Sequence, residues 1–381
     1  MIADVLQHSD DTLSDLNNET DNITTSDNND GTDSETEQGT SSDVDSDSDS
    51  DSVSDTDSTD SDSDTGISDS DSVVIPSRFQ WEASDALITT SDWANWFKDP
   101  TAARDIEDSS IWHMYTSAEL GNGLVLAYVQ INDWGQLGSV SPVRVQFDTN
   151  PDGYRAAPQL FYFAPQQQWY LIYQTQNPRY SVTKTPGNPA SWSESQQLVA
   201  MPDLIEGKEY TGFDYWVICD DAKCYLFFTG ANGILYRAHT LKDDFPQGFD
   251  GSIVEVLGSV DDSSAIVEGG SVYKIAGADM YLLLVESRKF VEEEYYSAWT
   301  ASALDGEWVA LAASEATPFA SNNNISNGDW TDVGILNGEI IRENSDETMT
   351  IDFQTLRFLC SGRTSEWDNY PIGVLTYKDS P

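Results

Sequence analysis

From Val74 onward the chain is a succession of short apolar and aromatic runs separated by Gly, Asn, Asp and Pro, with almost no stretch of 3.6-residue period; this predicts many short strands and few helices. Four of the runs look alike: Trp112-His113-Met114-Tyr115, Trp169-Tyr170-Leu171-Ile172-Tyr173, Cys224-Tyr225-Leu226-Phe227-Phe228 and Met280-Tyr281-Leu282-Leu283-Leu284. Their starts lie 57, 55 and 56 residues apart. A fifth, Thr348-Met349-Thr350-Ile351, follows a longer gap containing Asn322-Asn323-Asn324. A repeat of this length holds several strands, with each run a buried second strand and the segment before it an inner strand. The pattern predicts an all-β, five-bladed β-propeller whose units fit between Trp93 and Lys378. A two-sheet sandwich, which also spaces short strands regularly, is the alternative.

The repeat singles out three acids. Asp99 lies 14 residues before His113, Asp214 lies 11 before Tyr225 and Glu268 lies 13 before Tyr281, all near the start of an expected inner strand. Inner strands converge on a propeller's axis, so the three side chains are expected to meet at one mouth of the channel. Clustered acids in a dry site have their pKa values pushed apart, which is what acid/base chemistry needs: one carboxylate ionised as base and one carboxyl protonated as acid. Each acid taken singly is more often a turn residue or strand cap.

Charge divides the chain of 381 residues in two. Of its 66 acids, 23 precede Arg78, the first basic residue, and the remainder sets 43 acids against 18 bases. The segment from about Ser42 to Ser72 is a Ser-Asp repeat that buries too little apolar surface to offset chain entropy, so residues 1–75 are expected to form a disordered acidic tail or linker before a folded domain at 76–381. A calcium-binding or adhesive stalk is the sharper alternative, but the run lacks the turn-forming Gly and spaced ligands of a calcium loop. All 12 Trp and 17 Tyr lie after the tail, and about 300 residues suffice for one large core. The acidic body disfavours nucleic acid, which needs Lys and Arg against its phosphates. No apolar run reaches the 18 or so residues of a membrane span. The opening Met-Ile-Ala-Asp-Val-Leu-Gln-His lacks the basic start and apolar stretch of a secretory signal, so the expectation is a fragment of a larger secreted protein or another export route. Cys219 and Cys224 flank a four-residue turn and read as a cross-strand disulfide or as two buried thiols; no Cys/His cluster suggests zinc.

Several stretches in this order resemble glycoside hydrolase family 62, and the likeness runs through most of Arg78 to Tyr377. They include Trp96-Phe97-Lys98-Asp99-Pro100-Thr101, Ala157-Pro158-Gln159-Leu160-Phe161-Tyr162-Phe163-Ala164-Pro165 and Phe213-Asp214-Tyr215-Trp216-Val217-Ile218. Tyr225-Leu226-Phe227-Phe228-Thr229-Gly230-Ala231-Asn232-Gly233, Val267-Glu268-Gly269-Gly270-Ser271-Val272-Tyr273 and Met349-Thr350-Ile351-Asp352 continue the series. The resemblance implies a five-bladed propeller that removes α-L-arabinofuranosyl side groups from arabinoxylan by inversion. Asp99 matches the family's general base, Asp214 the acid that tunes its partner, and Glu268 the general acid. Inversion needs base and acid roughly 6.5–9.5 Å apart, with room for a water. Asp214 is expected to help keep Glu268 protonated by like-charge repulsion. Lys98 and Gln159 in the matching stretches, together with Trp134 and Tyr370, are expected to bind sugar. An extracellular monomer acting on plant cell-wall polysaccharide is implied.

The sequence also departs from the family. The His-Gly pair of blade five, whose His helps hold a central calcium, is matched by Asn337-Gly338, so a structural calcium would have the carbonyl of Asn337 to bind. An Arg after an aromatic pair in blade four is matched by Ser297, a Gln-Gly-Arg segment by Ser361-Gly362-Arg363, and a His-Asp-Thr stretch by Thr116-Ser117-Ala118-Glu119. Beside the arabinofuranosidase stand two further readings: a related furanosidase or xylosidase acting on another glycan, and a non-catalytic carbohydrate-binding propeller.

Overall fold

The computed structural model describes residues 73–378, apart from 89–90, 122, 148–152, 203, 206–207, 210–211, 250–252, 259–264, 290–292 and 366–369. The Ser/Asp tail, with its expected disorder, lies outside the described residues. The rest is all β, with only 3-10 turns between strands, and its main sheets are the blades of a five-bladed propeller. Blade one is Phe97–Arg104, Trp112–Glu119, Leu124–Ile131 and Val143–Arg144 from axis to rim. Blade two is Ala156–Phe163, Gln168–Gln174, Pro178–Thr183 and Gln196–Gln197. Blade three is Gly212–Cys219, Lys223–Gly230, Ile234–Leu241 and Val254–Leu257, and blade four Ala265–Ile275, Tyr281–Lys289, Glu293–Ala301 and Val309–Ser314.

The second strands read as continuous apolar runs because each is covered on both faces by the neighbouring blades, where a sheet with one solvated face would alternate. Trp169, Tyr170, Leu171, Ile172 and Tyr173 are all buried, and so are Leu226, Phe227 and Phe228. Cys219 and Cys224 face each other across the blade-three hairpin and are joined by a disulfide.

Blade five departs from the expected repeat. Its inner strand is Gly334–Ile340 and its second strand is Arg357–Arg363, not the run at Thr348–Ile351. Residues 341–356 instead pass beneath the axis, where Thr350–Ile351 pairs in parallel with Lys274 and Ile275 of blade four. Met349 and Ile351 are buried there, so the run is apolar for packing under the axis and only mimics a second strand. The ring is closed out of sequence. Trp81–Ala83 is antiparallel to Ile372–Tyr377 and serves as an outer strand of blade five. Trp81 seats among Phe79, Phe319, Phe358 and Tyr377 and donates from Nε1 to the Phe319 carbonyl at 2.6 Å. Truncating so large a buried ring costs about 3–5 kcal/mol, so this ring contributes substantially to holding the outer strand on blade five.

All five inner strands bulge near their start, and blade four slips a second time, between Ile266 and Glu268. The register slips between Lys98 and Thr101, Ala156 and Gln159, Phe213 and Trp216, Glu268 and Ser271, and Leu336 and Gly338. Each bulge holds one residue in the left-handed region: Asp99 (φ 56°), Ala157 (47°), Asp214 (55°), Gly269 (70°) and Asn337 (23°). Such bulges re-aim side chains, and Asp, Asn and Gly tolerate positive φ best; Ala157 is the strained member. The five bulges ring one mouth of the channel.

Below them Glu339 and Arg342, both buried, tie blade five across the axis. Glu339 accepts from the Ala102 amide and the Thr101 hydroxyl, while Arg342 donates to the Leu160 carbonyl at 3.0 Å. Among the described residues no helix is long and apolar enough to cross a membrane.

Candidate active site

The bulge ring encloses a cleft that opens to solvent, its wall formed by Asp99, Ala157, Asp214, Gly269, Asn337 and their neighbours. The repeat therefore places the three acids together, with one shift. Asp99 and Asp214 occupy the left-handed position of their bulges, while Glu268 stands one residue ahead of it, next to Gly269. Glu268 stands beside this wall and is reached from blade five, where Asn337 Nδ2 donates to its Oε2 at 3.3 Å.

Asp99 is almost fully buried, and its two carboxylate oxygens differ. Oδ2 accepts from Ser117 Oγ at 2.5 Å; Oδ1 has no hydrogen bond, only the Lys98 ammonium 3.7 Å away. Burial pushes the Asp99 carboxyl above its ordinary value, against the pull of Lys98 and the Ser117 hydrogen bond. Burial, with the nearby Glu268 and Asp99, pushes the Asp214 carboxyl well above its ordinary value. Its Oδ2 accepts the Gly269 amide at 3.0 Å. Burial opposes the Lys98 charge, but Asp99, Glu268 and Asp214 outweigh it and hold the ammonium firmly protonated. One fixed cation thus sits among three acids, which suits a base that must stay ionised in a partly dry site.

The expected sugar-binding residues separate. Lys98 stands beside Asp99. Tyr370 lies on the same mouth, its ring edge-on to Trp96 with centroids 5.1 Å apart, and forms a rim between blades five and one. Gln159 lines the cleft floor, but its amide is consumed by structure: Nε2 donates to the Val217 carbonyl and Oε1 accepts the Val217 amide, both at 2.7 Å. It staples blade two to blade three. Trp134 lies at the far end of blade one, in the 3-10 turn Trp134–Ser139, packed edge-on to Trp112 at 5.5 Å and beneath Arg357. Because Trp112 opens the second strand and Ser117, beside Asp99, nearly closes it, Trp134 is remote from the acids.

Four residues here were not visible in the repeat. Tyr154, whose hydroxyl burial pushes up to about 12, takes a hydrogen bond from Gln174 at 2.9 Å beside Lys98 and Asp214. Ser117 and Glu286 lie in second strands; Glu286 carries a signal, being an acid inside a buried apolar run. Glu339 lies under Asp99 and is pushed to about 7, chiefly by burial. Ser297, the departure in blade four, bonds Ser287 and the Val285 carbonyl at 3.0 and 3.2 Å.

Asn337 presents one buried oxygen, Oδ1, with no hydrogen bond. Calcium takes six to eight oxygens, mostly carboxylate and carbonyl. Among the described residues no group of three His, Cys, Asp or Glu is placed to hold a metal, and Asn337 Oδ1 is the oxygen that the matched position would offer one.

Comparison with known proteins gives a consistent picture. The model for glycosyl hydrolase family 62 matches residues 33–379. α-L-Arabinofuranosidase C of Cellvibrio japonicus (strain Ueda107) is 34% identical over 303 residues, covering 78% of this chain; the chain spans about half of that relative's length, 46%. The catalytic domain of a Coprinopsis cinerea α-L-arabinofuranosidase of the same family superposes with a TM-score of 0.74 at 35% identity, covering 80% of this chain and 99% of that one. A family 62 hydrolase solved with xylotriose gives 0.72 at 31% identity, covering 79% and 98%.

Proposed function

The chain belongs to glycosyl hydrolase family 62, and on that footing we propose that it is an inverting α-L-arabinofuranosidase that removes arabinofuranosyl side groups from arabinoxylan. The observation that carries this reading is the asymmetry of Asp99. One oxygen is fixed by Ser117, and the other is buried at the cleft without a hydrogen bond, ready to accept a proton. Asp99 Oδ1 takes the proton of a water as that water attacks the anomeric carbon. Glu268, held from the neighbouring blade five by Asn337, gives its proton to the leaving xylan oxygen. The C–O bond to xylose breaks as the bond to water oxygen forms, and the sugar leaves with inverted configuration. Asp214 fixes the backbone beside Glu268, and the Lys98 ammonium offsets part of the burial that raises Asp99. Tyr370 and Trp96 offer an aromatic rim to the polysaccharide chain. Such a substrate is found outside the cell, which supports secretion.

The test is arabinose release from wheat arabinoxylan, with proton NMR following the first anomer formed. Early β-arabinofuranose supports the reading; α-arabinofuranose first, or no release, overturns it.

A further inference from the structure

The five second strands carry a polar residue at one shared register position, opposite the residue that opens each bulge. These residues are Ser117 opposite Lys98, Gln174 opposite Ala156, Thr229 opposite Phe213, Glu286 opposite Glu268 and Ser361 opposite Leu336. A buried apolar strand has no packing reason to place a polar group there five times over.

Four of them reach across a blade seam to the bulge of the following blade. Ser117 Oγ accepts the Ala157 amide at 2.9 Å, and Gln174 Oε1 accepts the Asp214 amide at 2.9 Å. Thr229 Oγ1 donates to the Gly269 carbonyl at 3.0 Å, and Glu286 Oε2 accepts the Asn337 amide at 2.8 Å. At the fifth position the Ser361 hydroxyl is buried and has no hydrogen-bond partner, so this ring is open only at the seam between blades five and one.

We propose that Ser117, Gln174 and Glu286 are positioning residues that aim the acids of the mouth by clamping each bulge from the preceding blade. The inference deepens the proposed function and rests on it for the identity of the acids. Ser117 touches Asp99 directly while holding blade two. Gln174 holds the backbone of Asp214. Glu286 holds Asn337, whose amide in turn touches Glu268. None of the three needs to meet substrate. Glu286 acts as a hydrogen-bond acceptor, so the isosteric Gln can replace it.

Two measurements on the full chain test this. The first is amide hydrogen exchange, which needs no turnover. S117A is expected to speed exchange of the Ala157 amide about tenfold or more, and E286A that of Asn337, each in the next blade, while E286Q leaves Asn337 protected. Unchanged exchange at both amides overturns the clamp whatever the enzyme hydrolyses. The second is kinetic. S117A is expected to lower kcat about 10–100-fold with KM within about twofold. Its acidic limb is expected to move to higher pH, because the lost hydrogen bond helped to hold Asp99 down, and S117T restores both. An acidic limb that stays in place, or E286Q as impaired as E286A, overturns the positioning role even if arabinose is released as proposed.

Discussion

Asp214 Oδ2 accepts the backbone N–H of Gly269 at 3.0 Å, so an acid of blade three fixes the peptide that follows Glu268 in blade four. Two contributions of Asp214 can therefore be separated. D214N keeps an oxygen for the Gly269 amide but loses the titrating group; D214A loses both. We expect D214N to keep the wild-type Tm within about 2 °C and to lose activity. D214A should lose activity and also stability, by on the order of 1 kcal/mol for the unpaired buried amide. Equal Tm in both variants would show that the contact contributes nothing to holding the blades.

Asp99 is the sharpest target for activity. D99N removes the proton acceptor while preserving size and the Ser117 contact. Hydrolysis is expected to fall about 10²–10⁴-fold, the range for loss of a positioned general base, with arabinoxylan binding retained. Residual turnover near the wild-type rate would remove Asp99 from the chemistry. In the wild type, burial holds the Asp99 carboxyl high, so the acidic limb of kcat/KM should lie above the ordinary aspartate value.

Asp99 and Asp214 were legible in the sequence because the left-handed position of a propeller bulge tolerates Asp and the bulge recurs with the blade. Glu268 was legible too, although Gly269 and not Glu268 takes the left-handed position of its bulge. Ser117, Gln174 and Glu286 were not, because their signal lies on the second strand, where apolar packing dominates the pattern and a single polar residue reads as noise. Blade five was misread for a topological reason. Residues 341–356 lengthen the repeat, and Met349 and Ile351 bring apolar side chains under the axis that imitate the missing strand. The closing strand Trp81–Ala83 comes from the wrong end of the chain, which no repeat can announce. Trp134 was misplaced because most Trp in such a fold serve packing, whatever their neighbours in sequence.

Glu339 gives a pH-dependent stability whose sign is unusual for a carboxylate. Burial raises it from 4.5 to about 7 in the folded protein, so the folded state holds a proton that the unfolded chain has released. That contribution is fully present below the unfolded value near 4.5 and is lost as pH rises through about 7. Its size is on the order of 2–3 kcal/mol, and Asp99, Asp214 and Glu286 are shifted in the same direction. Thermal unfolding should therefore show Tm rising by several degrees from pH 7.5 to pH 5. E339Q should flatten the rise; an unaltered slope in E339Q would mean the titration lies elsewhere.

Apolar packing reaches back to Val73, ahead of the expected boundary at residue 76. Val73 and Ile75 pack against the large core, and Val73 Cγ2 sits against Gly277 in blade four. Deleting residues 1–72 is expected to leave Tm and activity unchanged, whereas deleting 1–77 should lower Tm measurably, since two apolar side chains leave the core. Identical melting curves for the two truncations would restore the boundary to the end of the tail.

Two aromatic residues separate the rim from the scaffold. Tyr370 pairs edge-on with Trp96 at the mouth, and Trp134 packs on Trp112 at the opposite end of blade one. Stacking on a sugar is a modest contribution, so Y370A is expected to raise KM for arabinoxylan oligosaccharides about 3–10-fold with kcat little changed and Tm nearly intact. W134A should do the reverse: lost packing against Trp112 and Arg357 costs on the order of 2 kcal/mol and lowers Tm, while KM stays at the wild-type value. Steady-state kinetics and calorimetry on the two variants decide the matter. A raised KM in W134A would place polysaccharide on the wrong face of the propeller, and an unaltered KM in Y370A would leave the rim between blades five and one without a ligand.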